Sequence, residues 1–554
     1  MANEAREQKP AAAKGRQAQG SRGDRTPIRP RPERYLVGVT PPTDVRTVTA
    51  ELDGDPSCRV IRTVGGQHQG AYPRVTVVEM APERAAALSG RPGLHVEQDS
   101  SLTQGATIRY GAARPEVGEL RTVSFEVLDD GGRPIDGAAV CLEGAPFAAF
   151  TGADGKAEVL APAEVEALLV YPPRGCWPVR VARPRLVTGE PNRAVCTRIT
   201  TTNPEFPDRP IESWGMRVMG FDRLPPTHRG HAVRIALIDS GVAVGHPDLT
   251  GLTSGRDVVG QDAKSWQEDL VGTGTHHAVL IAGRDDGSGV VGLAPEAEIH
   301  VCRIAPGGWN SDLIEALDYC IEQQIDVALL AYGTRQASAL VAAKIDEARR
   351  NGVACVAAVG DDGEARIGYP AAYPGVLAVG AIGRIGTFPP DSADVGELSG
   401  TISPEGFFVP RSSNGGWGVD CCAPGVAIVS GLPPTSYGPR GGTGVAAAHV
   451  TAVAALVLGH HPMFRPEQGR IPVTRSSVRV DHLFEVIKAS CRPLPGLDPR
   501  WTGAGLPDAA VAVGVAPRGT HASYGVAPPV AAGEPDALLA PLDAAMRSAG
   551  LVEG

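Results

Sequence analysis

The sequence predicts an α/β fold: a parallel sheet covered by helices on both faces over residues 211–516, preceded by a small α+β unit and a small β-sandwich. Three observations carry this. Continuous apolar, β-branched runs such as VRIALID, DVALLAYG and VACVAAVG alternate with helical stretches, the mark of strands buried on both faces. A shorter strand and helix alternation fills residues 35–103. Residues 117–187 instead alternate apolar and polar side chains around tight turns.

Composition narrows the class further. The 554 residues exceed one ordinary domain, and 42% hydrophobic with 21% charged residues fits a globular chain with ample core. A net charge of -10 provides no global basic field, which argues against nucleic acid as the partner of the body. Residues 1–34 are the exception, with nine Lys/Arg against four Asp/Glu and almost no large apolar side chain. Such a segment cannot bury enough surface to offset its ordering entropy, so it is expected to be a disordered tail, with a docking arm as the alternative. It lacks the apolar stretch of a secretory signal, and no run reaches the roughly 18 apolar residues of a membrane helix, so a cytoplasmic protein with no membrane contact is expected. Ten cysteines are spread along the chain without a CxxC or Cys/His cluster, so no metal and no cofactor are expected. Cys302, Cys320 and Cys355 read as small buried hydrophobes, and the adjacent Cys421 and Cys422 as part of a packed strand.

In order along the chain, YLVGVT and RVTVVEM read as strands, PERAAALSG as a helix and PGLHVEQDSS as a closing strand. Next, VSFEVLDDGGRPIDGAAVCL and TGADGKAEVL read as short strands joined at DDGG and ADG turns. The Pro-rich NPEFPDRP at 203–210 reads as a linker. In the large unit, HHAVLIAG reads as a helix, EIHVCRI as a strand and SDLIEALDYCIEQQ as an amphipathic helix opening at a Ser/Asp cap. The helix VAAKIDEARRNG ends at Asn-Gly. Beyond 516, a loop-like stretch precedes DALLAPLDAAMRSAGL, an amphipathic helix that either packs on the body or docks a partner.

Functional sites in such folds gather at the carboxyl ends of the strands, and RIALIDSGVAVGHPDL places Asp239 directly after the first apolar strand. This segment, with SWGMRVMGF, VGTGTHHAVLIAG, GSGVVGLAPEAEIHVCRI, SSNGGWGVDCCAPGVAIVSGLP, GGTGVAAAHVTAVAALVLGHHP and GAGLPDAAVAV in the same order, resembles the subtilisin-like serine protease family. The resemblance implies a subtilisin-like parallel sheet. It also casts 35–103, ending in PGLHVEQD, as a ferredoxin-like inhibitory prodomain. Residues 117–187 resemble carboxypeptidase regulatory-like or immunoglobulin-like modules.

In that family a serine attacks the peptide carbonyl, a histidine takes its proton, an aspartate orients the histidine and an asparagine helps hold the oxyanion. Carried over by position, the aspartate is Asp239, the histidine position holds Thr273, the serine position holds Gly444 and the asparagine position holds Asp361. His276 matches the motif's second histidine, and His277 is expected to lie on the wrong side of the helix. The wall of the peptide cleft falls at Ala331, Tyr332 and Gly333. In subtilisin, a relative by this resemblance, losing serine or histidine alone costs on the order of a million in turnover, and one oxyanion donor about a hundred to a thousand. The expectation is a non-catalytic pseudoprotease that binds a peptide or protein partner, an active protease among the candidates, with 35–103 uncleaved and its end in or near the cleft. The alternative is a serine-type endopeptidase with an atypical or partner-completed site.

Overall fold

A computed structural model of the chain describes residues 33–517 and 519, apart from 67–71, 73, 104–119, 144–147, 250–251, 253, 261 and 466–472. The basic tail and the C-terminal amphipathic helix lie outside the described residues.

Seven parallel strands form the body of the large sheet, in the order Ser254–Asp257, Glu298–Arg303, Arg234–Asp239, Val327–Leu330, Ala354–Ala358, Val376–Arg384 and Cys421–Pro424. Phe407–Pro410 adds antiparallel to the end of Val376–Arg384, with Leu398–Ser399 beyond it, so that edge of the sheet is mixed. Both faces are buried, and the strand pleat sorts successive residues between them. Ile235 and Leu237 join one core, with the helices Thr273–Ala282 and Thr443–His460. Ala236 and Ile238 join the other, with the helices Asn310–Glu322 and Ala339–Arg350. Thr443–His460 is apolar all round, with a mean hydropathy of 1.5, because it runs through the core and is 89% buried.

Residues 33–98 form a four-stranded antiparallel sheet with two helices on one face. One of these, Val45–Asp53, and the strand Cys58–Val64 are elements the sequence pattern does not announce. The helix starts where the Asp44 side chain accepts the Arg46 N–H, and it buries Val48 and Leu52, one turn apart. The sheet's other face, through Leu36, Val75 and Val77, packs on the large unit beside Leu313, Leu340 and Val341. Gly38 permits the approach, since a Cβ there would lie 2.4 Å from Leu340 Cδ2.

The middle region holds a four-stranded and a three-stranded sheet around one shared core that includes Phe125, Val140, Leu168 and Val170. It extends past residue 187: Asn192–Cys196 pairs in parallel with Arg121–Asp129. Backbone bonds tie it to the large unit, from Arg180 N–H to Asp391 O (2.8 Å), Ala393 N–H to Pro178 O (3.0 Å) and Gly175 N–H to Tyr437 O (2.8 Å). The expected cap of the Asn310–Glu322 helix also differs. The helix begins one residue earlier, and the Asp312 carboxylate accepts the Trp309 N–H at 2.7 Å.

Candidate functional site

The site is built at the carboxyl ends of the central strands. Asp239 ends its strand, Ala331–Gly333 follow Val327–Leu330, and Asp361 follows Ala354–Ala358. Two helix starts face them. Gly272 (φ 90°) turns the chain into Thr273–Ala282, and Gly442 (φ 120°) into Thr443–His460. A Cβ on Gly274 would sit 1.9 Å from the Gly241 carbonyl oxygen, so a side chain at 274 would push the helix start off the strand end.

Asp239 is fully buried and both of its oxygens are engaged. Oδ1 accepts the Thr273 hydroxyl at 2.7 Å and the Ser240 N–H at 2.7 Å. Oδ2 faces His277 Nδ1 at 2.7 Å. His277 is 1% exposed and therefore does not stand on the wrong side of the helix; that expectation is corrected. Residues i and i+4 share a helix face, and helical side chains lean back toward the N-terminus. A ring four residues after Thr273 thus reaches the carboxylate that a ring at 273 would have met.

Thr273 holds its place through a directional chain. Ser240 Oγ lies 2.8 Å from Asp269 Oδ1 and 2.9 Å from Thr273 Oγ1, and Tyr332 Oη lies 3.2 Å from Thr273 Oγ1. With the Thr273 hydrogen given to Asp239, the Tyr332 phenol donates to Thr273. Burial, reinforced by the Asp239 charge, holds that phenol well above its usual pKa, so it stays a donor. Tyr332 therefore turns its hydroxyl inward to Thr273.

The motif positions do not single out Asp269. Its carboxylate accepts N–H groups of Val271, Gly272 and Thr275 and the Thr275 hydroxyl, at 2.7–3.1 Å, and so caps the Thr273–Ala282 helix. An acid three residues before Gly272 is the signal in the sequence that could have found it. His276 is kept neutral, pushed well below the ordinary histidine pKa by burial and then by His277. Its Nε2 lies 2.8 Å from the Ile428 carbonyl, which fixes the proton there.

Opposite His277 lies Gly444. A Cβ there would be 3.2 Å from His277 Cε1 and 3.6 Å from Nε2, so the ring covers the space a longer side chain would need. Thr443, next to it, is fully buried, and its Oγ1 accepts the Gly360 N–H at 3.1 Å. Asp361 Oδ1 accepts the Thr443 N–H at 2.7 Å. A carboxylate thus sits at the amino end of the long helix, the place where an oxyanion would be received.

The Ala331–Gly333 segment is paired with an earlier stretch of the same chain. Thr103 N–H donates to Gly333 O at 2.7 Å, Gly333 N–H returns to Thr103 O at 3.0 Å, and Leu102 N–H donates to Gly308 O at 2.8 Å. Just upstream, two acids spaced i, i+2 on one strand face meet two helix starts. Glu97 accepts from Ser338 Oγ and from the Ala339 N–H (2.9 Å), and Asp99 from the Ser311 N–H (3.0 Å) and hydroxyl (2.9 Å). Arg34 completes the Asp99 contact at 2.7 Å. Beneath Thr103 a cavity of about 40 Å³ is bounded by Tyr332, Gly333, Val359, Asp361 and Tyr369. Ala331 Cβ stands 3.8 Å from where a Gly444 Cβ would be, on the same wall. Among the described residues no group of His, Cys, Asp or Glu is arranged to hold a metal.

This frame has counterparts among known proteins. A family model described as the subtilase family matches residues 230–489. A subtilisin of Bacillus pumilus is 31% identical over 250 residues, which span 82% of that protein and 44% of this chain. The chain belongs to the subtilase family. Subtilisin E of Bacillus subtilis (strain 168) is 32% identical over 250 residues, 60% of its length, and the major intracellular serine protease of the same organism is 31% identical over 244 residues, 69% of its length. The chain thus spans less than two thirds of the length of subtilisin E. The subtilase match begins after the small sheet unit and the two middle sheets, so the walls those regions contribute lie outside it.

Proposed function

We propose that this subtilase has given up peptide hydrolysis and kept its cleft as a peptide-binding edge, occupied first by its own Val96–Thr103 segment. The observation that carries the reading is Gly444 facing the His277 ring: the position assigned to the nucleophile offers no heteroatom, and the space above it is filled. Thr273 gives its hydroxyl hydrogen to Asp239, and Asp361 puts a negative charge where the reaction would build one. Residues 35–103 act as an uncleaved inhibitory-prodomain equivalent, and the two middle sheets as a sandwich module for contacts. The partner class is an extended peptide or a protein, an active protease included, with neither nucleic acid nor membrane. The cytoplasm is the proposed compartment, where the ten free cysteines stay as thiols. Intact-mass measurement of the purified full chain, together with a fluorophosphonate probe, tests this. One uncut species without label is expected; spontaneous cleavage between residues 95 and 210, or labelling, would overturn it.

The Asp239–His277 pair favours a second reading, a serine-type endopeptidase whose nucleophile or oxyanion donors come from a partner. Digestion of a peptide library with and without candidate partners separates the two, since cleavage lost in both Asp239→Ala and His277→Ala would select the second.

A further inference from the structure

A second cavity, of about 430 Å³, lies between the middle sheets and the start of the Thr443–His460 helix. Its walls come from two sources: Phe150 and Tyr171 from the middle sheets, which the subtilase match does not include, and Leu432, Arg440 and Gly442 from the region it does. Asp361 borders both this cavity and the small one under Thr103, and so stands between them.

Arg440 is the unusual member. It is half-buried, and its guanidinium makes no hydrogen bond or ion pair with a described residue. Nη2 lies 3.3 Å from where a Cβ on Gly272 would be, beside Thr273. Burial holds it below the usual arginine pKa, and the nearby charge of Asp269 opposes that shift without pairing it. A partly desolvated, unpaired arginine is short of an anion. Apolar surface is concentrated at the same mouth: Phe150 is 62% and Leu270 78% exposed, and Val271 stands beside them. Arg174 adds a second cation at the rim, whereas Asp361, Asp394 and Glu397 line the remaining wall. Three carboxylates disfavour a dianion such as a phosphate, and Arg440, the more buried of the two arginines, suits a single carboxylate.

We propose that this cavity binds the free C-terminus of a peptide ending in an apolar residue, with the α-carboxylate on Arg440 and the side chain against Phe150, Tyr171 and Leu432. The inference rests on the non-catalytic reading only in taking the ligand to be held and not turned over. It makes the chain a reader of finished peptide ends, a ligand class that an interior peptide bond does not satisfy.

The test is titration of the full-length protein with N-acetyl-Ala-Ala-Leu as the free acid and as its C-terminal amide, by calorimetry. The acid is expected to bind at least tenfold more tightly than the amide. Arg440→Gln is expected to erase that difference, and Phe150→Ser to weaken acid and amide alike. Equal binding of acid and amide by the wild type, no binding of either, or an acid preference that survives Arg440→Gln would overturn the proposal. Because the first comparison needs only the wild type, a poorly folding variant does not rescue it. In parallel, the p-nitroanilide of the same tripeptide reports hydrolysis; released nitroaniline would overturn the non-catalytic reading while leaving an observed acid preference intact.

Discussion

His277 Nδ1 lies 2.7 Å from Asp239 Oδ2, although His277 is one helical turn beyond the position at which the subtilase pattern places its base. The pair sets a carboxylate against an imidazole inside the packing of a strand end on a helix start. Its ring is sealed in the interior against Gly444. These residues are part of the core packing, and their polar contacts act on stability.

Asp239→Ala is therefore expected to destabilise the fold. The substitution leaves the Thr273 hydroxyl, the Ser240 N–H and the His277 ring without their shared acceptor in a buried site. A loss of about 3–5 kcal/mol is expected from such a buried network. Urea denaturation of the variant against wild type measures it, and a change under about 1 kcal/mol would contradict the account.

Restoring the triad by position alone is expected to fail. A serine Cβ at 444 comes within 3.2 Å of His277 Cε1, so Gly444→Ser costs roughly 1–3 kcal/mol by overpacking. Thr273→His with Gly444→Ser and Asp361→Asn should remain unlabelled by a fluorophosphonate. Adding His277→Val clears the space, and labelling should appear only then. Equal labelling of the two multiple variants would show that His277 is no obstacle.

The docked N-terminal unit depends on Glu97 and Asp99, which meet the starts of two helices. Replacing both by Gln and Asn removes charge from sites that favour it, with a combined effect of about 1–2 kcal/mol. Amide hydrogen exchange in residues 75–103 should speed up by roughly five- to thirtyfold, with the large sheet unchanged. Uniform acceleration over the whole chain would point to global destabilisation instead.

Acid sensitivity has an assignable source in His449. Burial pushes this residue down to about 4, against about 6.5 when unfolded, so between those values the unfolded chain takes a proton that the fold refuses. Above about pH 6.5 it costs the fold nothing. As the pH falls to 4 it removes about 1.4 kcal/mol of stability per unit, roughly 3 kcal/mol in all. His449 Nε2 has no partner among the described residues, and its ring lies beside Gly215, so His449→Leu should flatten stability against pH over this window. Urea midpoints at pH 7 and pH 4.5 for both proteins check it; parallel curves would remove His449 as the source.

Much of this protein is written locally. The strands Arg234–Asp239, Val327–Leu330 and Ala354–Ala358 announce themselves as β-branched and small apolar runs, and their carboxyl ends locate Asp239, Tyr332 and Asp361 without a structure. The helix Val45–Asp53 escapes such a reading because it buries only Val48 and Leu52, so its pattern is too short to separate from a polar loop. The strand Asn192–Cys196 escapes it for a related reason: it pairs with Arg121–Asp129, about seventy residues earlier, and a local pattern carries no record of such a partner.

The subtilase frame, and the reading that places Thr273, Gly444 and Asp361 at its motif positions, rest on the residues alone, because each is a residue type at a motif position. Packing in three dimensions was needed to bring His277 onto Asp239 and to enclose a cavity around Arg440 with the middle sheets. The first depends on helical periodicity combined with the space Gly444 leaves free. The second depends on surfaces hundreds of residues apart meeting across a packed interface, where distance in the chain says nothing about distance in space.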